Sequence, residues 1–414
     1  MFHPHDSCSA GWTKTIFSSI ALSAVAFAIA APAMAAESVQ AMVDRDIDLA
    51  TKQYTVLLNR MQDRSGFPRT VDQGAVTTVG VKDWTAGFFP GSLWYLYEAT
   101  GANSWRDAAA RYTALTAAAK FDKSQHDVGF MLGSGYGNGY RLTGNPAYRD
   151  ALLAGATTLV TRFNPKVGAI QSWNVNASSA WAYPVIIDNM MNLELLTWAS
   201  RASNEPWYLE VALRHADTTL KHHFRADGSS VHLVDYNPAS GAVRARVTVQ
   251  GYADGSAWAR GQAWALYGYT MMYRETRQAD YLAQAQRIAG FYMNHPRMPA
   301  DKVPYWDFDA PDTPQPPPRD ASAAAIASSA LLELASLSDK PAAARYRDFA
   351  EQTLRSLSSP SYLAAPGENG GFLLKHATGH LPAGKEIDVP LNYADYYFLE
   401  ALLRLKAAQA AQHQ

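Results

Sequence analysis

His126–Asp127–Val128–Gly129–Phe130 and Ile187–Asp188–Asn189–Met190–Met191–Asn192 decide how this chain is read. Each sets one Asp at the start of a long apolar pattern of helical period. Asp is favoured there because its carboxylate accepts an otherwise unpaired N–H of the first turn. Comparable starts recur near residues 84, 258, 320 and 392. An amphipathic pattern precedes each of the six, over residues 41–61, 103–120, 145–163, 205–224, 279–295 and 341–358. The apolar patterns that follow run over 92–100, 127–142, 188–202, 257–277, 321–337 and 392–405.

A helix that is apolar on most sides needs burial on both. The six paired units are uneven in length, and no terminal unit looks like a cap. That pattern predicts a ring closed on itself rather than an open stack. The expected fold is all-α, an (α/α)6 barrel with the apolar helices inside and the amphipathic ones outside. Period-two stretches at 229–236 and 242–250, turning at Asn237–Pro238 and Gly241, predict a short β-hairpin on the rim. Residues 62–83, 299–320 and 367–390 read as loops. No linker or composition shift divides residues 36–414, which read as one domain.

Composition narrows the class. The 414 residues are 48 % hydrophobic, enough for a large core. The formal charge of -1 argues against nucleic acid as main partner, since phosphate binding needs a basic excess. Eleven Trp and 22 Tyr offer flat faces that suit sugar rings, and equally suit a core. Residues 1–35 read as a cleaved secretory leader: Lys14, an apolar stretch over 15–31, then Ala33–Met34–Ala35. The expected location is therefore the periplasm. The only cysteine, Cys8, lies in that leader, so no disulfide or catalytic thiol is expected after cleavage.

In a closed ring every inner helix points the same way, so the loops before them gather at one end. Those loops carry Asp83, Trp84, His126, Asp127, Trp173, Asp188, His232, Gln250, Trp258, Arg260 and Asp320. Two carboxylates across a sugar can divide acid and base duties. A helix start favours the ionised form, whereas a general acid must keep its proton. Apolar surroundings or a neighbouring carboxylate would raise the pKa, so Asp127 and Asp188 must lie close together to work. Capping alone also explains their positions. Arg260 and Trp264 are four apart on one helix face. Arg260 could grip a carboxylate bidentately or pair with a rim Asp, and Trp264 could stack on a sugar or fill the core.

Other signals point nowhere specific. The alternating glycines at 133–139 lack a phosphate-loop Lys and a preceding strand. His215, His222 and His223 lack metal-ligand spacing and read as surface residues. The acids over 301–320 lack calcium-loop spacing, and no Gly-x-Ser-x-Gly elbow occurs.

Taken together, the two Asp motifs and Arg260–Gly261–Gln262–Ala263–Trp264 resemble the unsaturated glucuronyl hydrolases, family 88 of the glycoside hydrolases. The likeness runs from Asp83–Trp84–Thr85–Ala86–Gly87–Phe88–Phe89–Pro90–Gly91 to Tyr393–Ala394–Asp395–Tyr396–Tyr397–Phe398–Leu399–Glu400–Ala401. The resemblance implies an (α/α)6 barrel. It implies removal of a 4,5-unsaturated glucuronic acid from the non-reducing end of lyase-produced oligosaccharides, by hydration of the vinyl ether. By the same resemblance Asp188 is the general acid/base and Asp127 the supporting carboxylate. Trp84, His126, Trp173, His232, Gln250, Arg260 and Trp264 contact substrate, with Arg260 on the uronate carboxylate. No metal or organic cofactor is implied.

Members that prefer sulfated chondroitin units carry Ser-x-x-Ser-x-Lys near the C-terminus. Here His380–Leu381–Pro382–Ala383–Gly384–Lys385 matches only at Lys385. The expected partner is an unsaturated uronyl oligosaccharide. No nucleic acid is expected, no membrane once the leader is gone, and the chain is read as a monomer or weak homodimer. The alternatives are a related hydrolase of unsaturated rhamnogalacturonan fragments, an (α/α)6 polysaccharide lyase, and a non-catalytic glycan-binding protein.

Overall fold

A computed structural model describes residues 37–313 and 315–412. The leader read over residues 1–35 lies outside them. Residues from Ser38 onward form one compact unit. Six helical pairs follow one another: α1 (Val39–Arg60) and α2 (Phe88–Thr100), then α3 (Asn103–Leu115) and a broken inner helix, α4 (Val128–Leu132) with α5 (Asn138–Thr143). Next come α6 (Pro146–Val160) and α7 (Leu193–Ser203), and α8 (Pro206–His222) and α9 (Ala259–Thr276). The last two pairs are α10 (Ala279–Asn294) with α11 (Ala321–Ser336), and α12 (Lys340–Leu357) with α13 (Asn392–Gln412). The inner helix α13 packs on both α11 and α2, which closes the ring. This is the (α/α)6 barrel.

The inner and outer helices differ as their sequences demand. In α11 the small residues from Ala321 to Ala330 are all buried, allowing close approach to α9 and α13. In α12 the buried positions Ala343, Tyr346, Phe349, Ala350, Thr353, Leu354 and Leu357 form one stripe. Side-chain caps from Ser38, Asn145, Asp320 and Asp339 start α1, α6, α11 and α12.

Short strands decorate the barrel. They form the hairpin β1 (Phe67–Asp72) and β2 (Ala75–Val79), and the pair β3 (Phe163–Asn164) and β4 (Ala169–Ile170). The rim hairpin read from sequence is present as β6 (Leu233–Tyr236) and β7 (Val243–Val247). A third strand, β5 (Pro184–Ile186), joins it antiparallel to β6. The last hairpin is β8 (Ala377–His380) with β9 (Lys385–Val389).

Several sequence expectations need correction. Residues 62–83 and 367–390 are not plain loops, since each holds a hairpin. The first turns at Gln73 and Gly74, both at positive φ, as a tight two-residue hairpin turn requires. The helix expected over 127–142 is interrupted by a π turn at Gly133–Gly137. Asp188 does not start α7: it lies in a 3-10 segment, Ile187–Asn192, that precedes α7. His215 and His223 are fully buried rather than on the surface. Among the described residues no helix is long and apolar enough to cross a membrane.

Candidate active site

Backbone pairing brings the two Asp motifs together. The His126 N–H donates to the Ser172 carbonyl at 2.9 Å, and the Ser172 N–H donates to the Pro184 carbonyl at 2.9 Å. The hydroxyl of Ser172 accepts the Ile186 N–H, and the Ile187 N–H donates to the His232 carbonyl, each at 2.9 Å. Residues 126, 172, 186 and 232 are thereby stitched side by side. Asp127 directly follows His126, and Asp188 directly follows Ile187.

The two helix starts also dock on each other. Gly129 makes this possible, because a Cβ there would lie 2.6 Å from the Cα of Asn192. Asn192 Oδ1 accepts the Phe130 N–H at 2.9 Å. That N–H is the one a capping side chain at Asp127 would normally take. Asn192 therefore does the capping, and the Asp127 side chain makes no cap bond. The contrast with Asp320 is direct, for its carboxylate accepts the Ser322 N–H at 3.0 Å and starts α11. Capping does not account for Asp127 or Asp188.

The electrostatics follow from burial. Removal from water raises the pKa of Asp188 to about 6, opposed by the positive charge of Arg260 and its own backbone N–H. Burial first, and the charge of Asp188 second, push Asp127 well above the usual carboxylate range. The charge of Asp188 thus acts on Asp127, which puts the two carboxylates within electrostatic reach of each other.

Two histidines flank the pair. His126 Nε2 lies 3.3 Å from Asp127 Oδ1, and His232 Nε2 lies 3.8 Å from Asp188 Oδ2. His232 Nδ1 accepts the N–H groups of Val249 at 3.0 Å and Gln250 at 3.2 Å. A ring nitrogen that accepts carries no proton, so the neutral ring holds its hydrogen on Nε2, facing Asp188. Burial keeps His232 neutral, lowering its pKa to about 3. Asp188 Oδ2 has no hydrogen-bond partner within the protein.

His232 and Ile186 lead from this pair to a cavity of about 220 Å³, lined also by Trp84, Trp173, Gln250, Arg260 and Tyr393 among others; Asp127 and Asp188 themselves stand behind its wall and do not line it. It is smaller than the roughly 300–1,000 Å³ that encloses a drug-sized ligand, which suits one sugar ring. Trp84 and Trp173 stand half-buried on its wall, as the sequence reading placed them. Gln250 lines it too and donates to the Gly379 carbonyl at 3.2 Å.

His126, buried and off the cavity wall, and three further residues sit differently from expectation. Arg260 lines the cavity, but its terminal nitrogens are already committed: one donates to Asp320 at 3.0 Å and to the Thr378 carbonyl, the other to the Gly379 carbonyl at 2.6 Å. Three of its five N–H donors are thus taken, which leaves Nε and one N–H of Nη2 without a partner from the protein. Trp264 is fully buried, packed at 5.1 Å on Phe130 and 5.4 Å on Tyr397, in the aromatic core and not on the cavity wall. Lys385 is exposed and does not line the cavity. Arg69, His380, Glu386 and Tyr393 line it unanticipated. The first three stand on hairpins in stretches that read as loops, and Tyr393 stands on α13; β-branched residues on both sides of Gln73–Gly74 are a usable signal for the first hairpin. Among the described residues no group of three His, Cys, Asp or Glu is placed to hold a metal ion.

This arrangement, with coupled carboxylates beside an aromatic one-sugar cavity, can be set against known proteins. The model of Glycosyl Hydrolase Family 88 matches residues 58–405. The chain belongs to that family. An unsaturated glucuronyl hydrolase of Formosa agariphila is 46 % identical over 363 residues, spanning 85 % of this chain and 90 % of the relative. An unsaturated chondroitin disaccharide hydrolase of Streptococcus pyogenes serotype M1 is 32 % identical, spanning 87 % and 90 %. The crystal structure of an unsaturated glucuronyl hydrolase specific for heparin superposes with a TM-score of 0.85 at 48 % identity. That match covers 89 % of this chain and 98 % of the solved one. The six-hairpin barrel described above is the fold these family members share.

Proposed function

We propose that this protein is an unsaturated glucuronyl hydrolase that adds water across the C4=C5 bond of a non-reducing-end uronic acid. The observation that carries the chemistry is the bare Oδ2 of Asp188, buried, facing His232 and coupled to Asp127. Asp188 donates its proton to C4. It then takes a proton from the water whose oxygen bonds to C5, so the net change is addition of one water. The resulting hemiketal opens, and the hemiacetal left at C1 releases the remaining sugar. One group serves as acid and then base, and a pKa of about 6 suits both roles near neutrality.

Asp127 is the supporting carboxyl group, hydrogen-bonding sugar hydroxyls beside Asp188. His232 presents a fixed N–H beside Asp188, while Trp84 and Trp173 face the ring. The heparin-specific structure at 48 % identity, against 32 % for the chondroitin disaccharide hydrolase, favours heparin-type disaccharides as substrates. The secretory pattern of residues 1–35 supports work in the periplasm, by a monomer or weak dimer.

A panel of unsaturated disaccharides from several lyases, followed by ultraviolet absorbance of the double bond, tests this. Loss of absorbance, fastest on heparin-type units, is expected. A gain on intact polymer would instead identify a lyase, and no change on any substrate would sink the hydrolase reading.

A further inference from the structure

Two amides in the Asp188 run turn back toward the other Asp motif. Asn192 caps α4. Asn189 is fully buried in the 3-10 segment, and its Nδ2 donates to the Ile170 carbonyl on β4 at 2.9 Å. A flipped amide would set oxygen against oxygen there, so this bond fixes which end of the side chain is Oδ1. That Oδ1 is buried and lacks any other partner. His126 is buried too, and its Nδ1 likewise lacks any other partner. The Asn189 side chain acts on the His126 ring as an acceptor does, favouring a ring proton.

Burial, and after it the charge of Arg162, keeps His126 neutral, well below its ordinary range. A neutral ring carries one proton, on one nitrogen. An acceptor at Oδ1 draws that proton to Nδ1 and leaves Nε2 bare. Nε2 lies 3.3 Å from Asp127 Oδ1. A bare nitrogen beside an ionised carboxylate sets lone pair against lone pair, whereas a protonated carboxyl can donate to it. Burial and the charges of Asp188 and Asp83 act on Asp127 in the same direction, against the Asn192 amide and Arg162. His215 and His232, the other titratable groups that act on His126, are themselves neutral, burial lowering each to about 3. Asp188 agrees from its own side: burial raises its pKa, and no charge on Asp127 contributes.

We propose that Asn189 is a positioning residue: it holds the His126 proton on Nδ1, and the bare Nε2 that results keeps Asp127 a neutral carboxylic acid, so that Asp188 alone changes charge during the reaction. This rests on the reading of the site as one that hydrates an unsaturated uronyl sugar.

The test reads the proton itself. Protein labelled with nitrogen-15 in its histidine rings is measured by long-range proton–nitrogen correlation near neutral pH, with His126→Gln identifying the His126 signals. Wild type should carry the His126 proton on Nδ1; a proton on Nε2 overturns the proposal. Asn189→Leu keeps the volume and removes both polar ends, and circular dichroism establishes whether it is folded. In it the proton should move to Nε2, Asp127 should ionise, and the alkaline limb of kcat/KM should rise by about one pH unit, as a new like charge beside Asp188 requires. A purely structural role, through the lost Ile170 bond, would lower kcat and leave the limb in place, and that result also overturns the proposal. If the variant does not fold, the wild-type tautomer decides alone. A proton on Nδ1 with no cleavage of any unsaturated disaccharide would uphold the proposed tautomer while refuting the hydrolase reading; cleavage with the proton on Nε2 would do the reverse.

Discussion

Asp188 and Asp395 are two buried carboxylates with raised pKa values, about 6 and about 7. By perturbation alone Asp395 is the stronger candidate for chemistry. Their partners separate them. Asp395, in the first turn of α13, accepts the Leu373 N–H at 2.8 Å, the Leu374 N–H at 2.9 Å and the Tyr54 hydroxyl at 3.3 Å. It is fully buried and fastens the chain before β8 to the last inner helix. Asp188 has an oxygen with no partner, facing the fixed N–H of His232, which lines the cavity. A raised pKa reports burial. An unfilled hydrogen-bonding capacity at a cavity reports where a substrate completes the site.

The comparison can be broken at either end. The largest of the flanking effects is expected for Asp127→Asn. It should lower kcat/KM by about 10²–10⁴, the range for loss of a participating acid or base. Its pH profile is the sharper readout. The first step needs a protonated Asp188, so in wild type the rate should fall tenfold per unit as pH rises above about 6. Burial, not Asp127, raises the pKa of Asp188, so this alkaline limb should stay near pH 6 in Asp127→Asn while the rate falls. A limb that moves would show that Asp127 sets the titration of Asp188.

Asp395→Asn should act on stability instead. An amide has one acceptor oxygen for the Leu373 and Leu374 N–H groups, so one is left unpaired at a cost of about 1–3 kcal/mol. Urea denaturation should show a lower midpoint with unchanged slope, while the folded fraction keeps near-normal kcat. A loss of kcat without loss of stability would put Asp395 in the machinery. The smallest effect belongs to Lys385→Ala. The residue is exposed and off the cavity, so kcat/KM should change by less than about twofold, as for most surface changes.

The barrel was legible because it depends on period and repetition. Inner helices were placed near 258, 320 and 392, and they begin at Ala259, Ala321 and Asn392. Its interruptions were less legible. Near 127 the glycines 133, 135 and 137 allow a π turn that period cannot announce. At 188 a 3-10 segment carries the same apolar residues as a helix would. Both Asp residues looked like caps, and only tertiary structure reveals that Asn192 takes over the capping of α4. Arg260 and Trp264 share a helix face as read, yet three-dimensional packing commits one to Asp320 and buries the other. Arg69 and Glu386 lie more than 300 residues apart, and no local pattern signals that they meet.

The central claim is that the partnerless carboxylate performs the proton transfers. Asp188→Asn tests it most directly, with kcat/KM on an unsaturated heparin-type disaccharide and urea denaturation measured on the same preparation. The account predicts a fall in kcat/KM of about 10³ or more, since one group supplies both acid and base steps. It predicts a denaturation midpoint at or above that of wild type, because no internal hydrogen bond of the bare oxygen is lost. Activity within tenfold of wild type, or a loss of activity that merely follows unfolding, would contradict it.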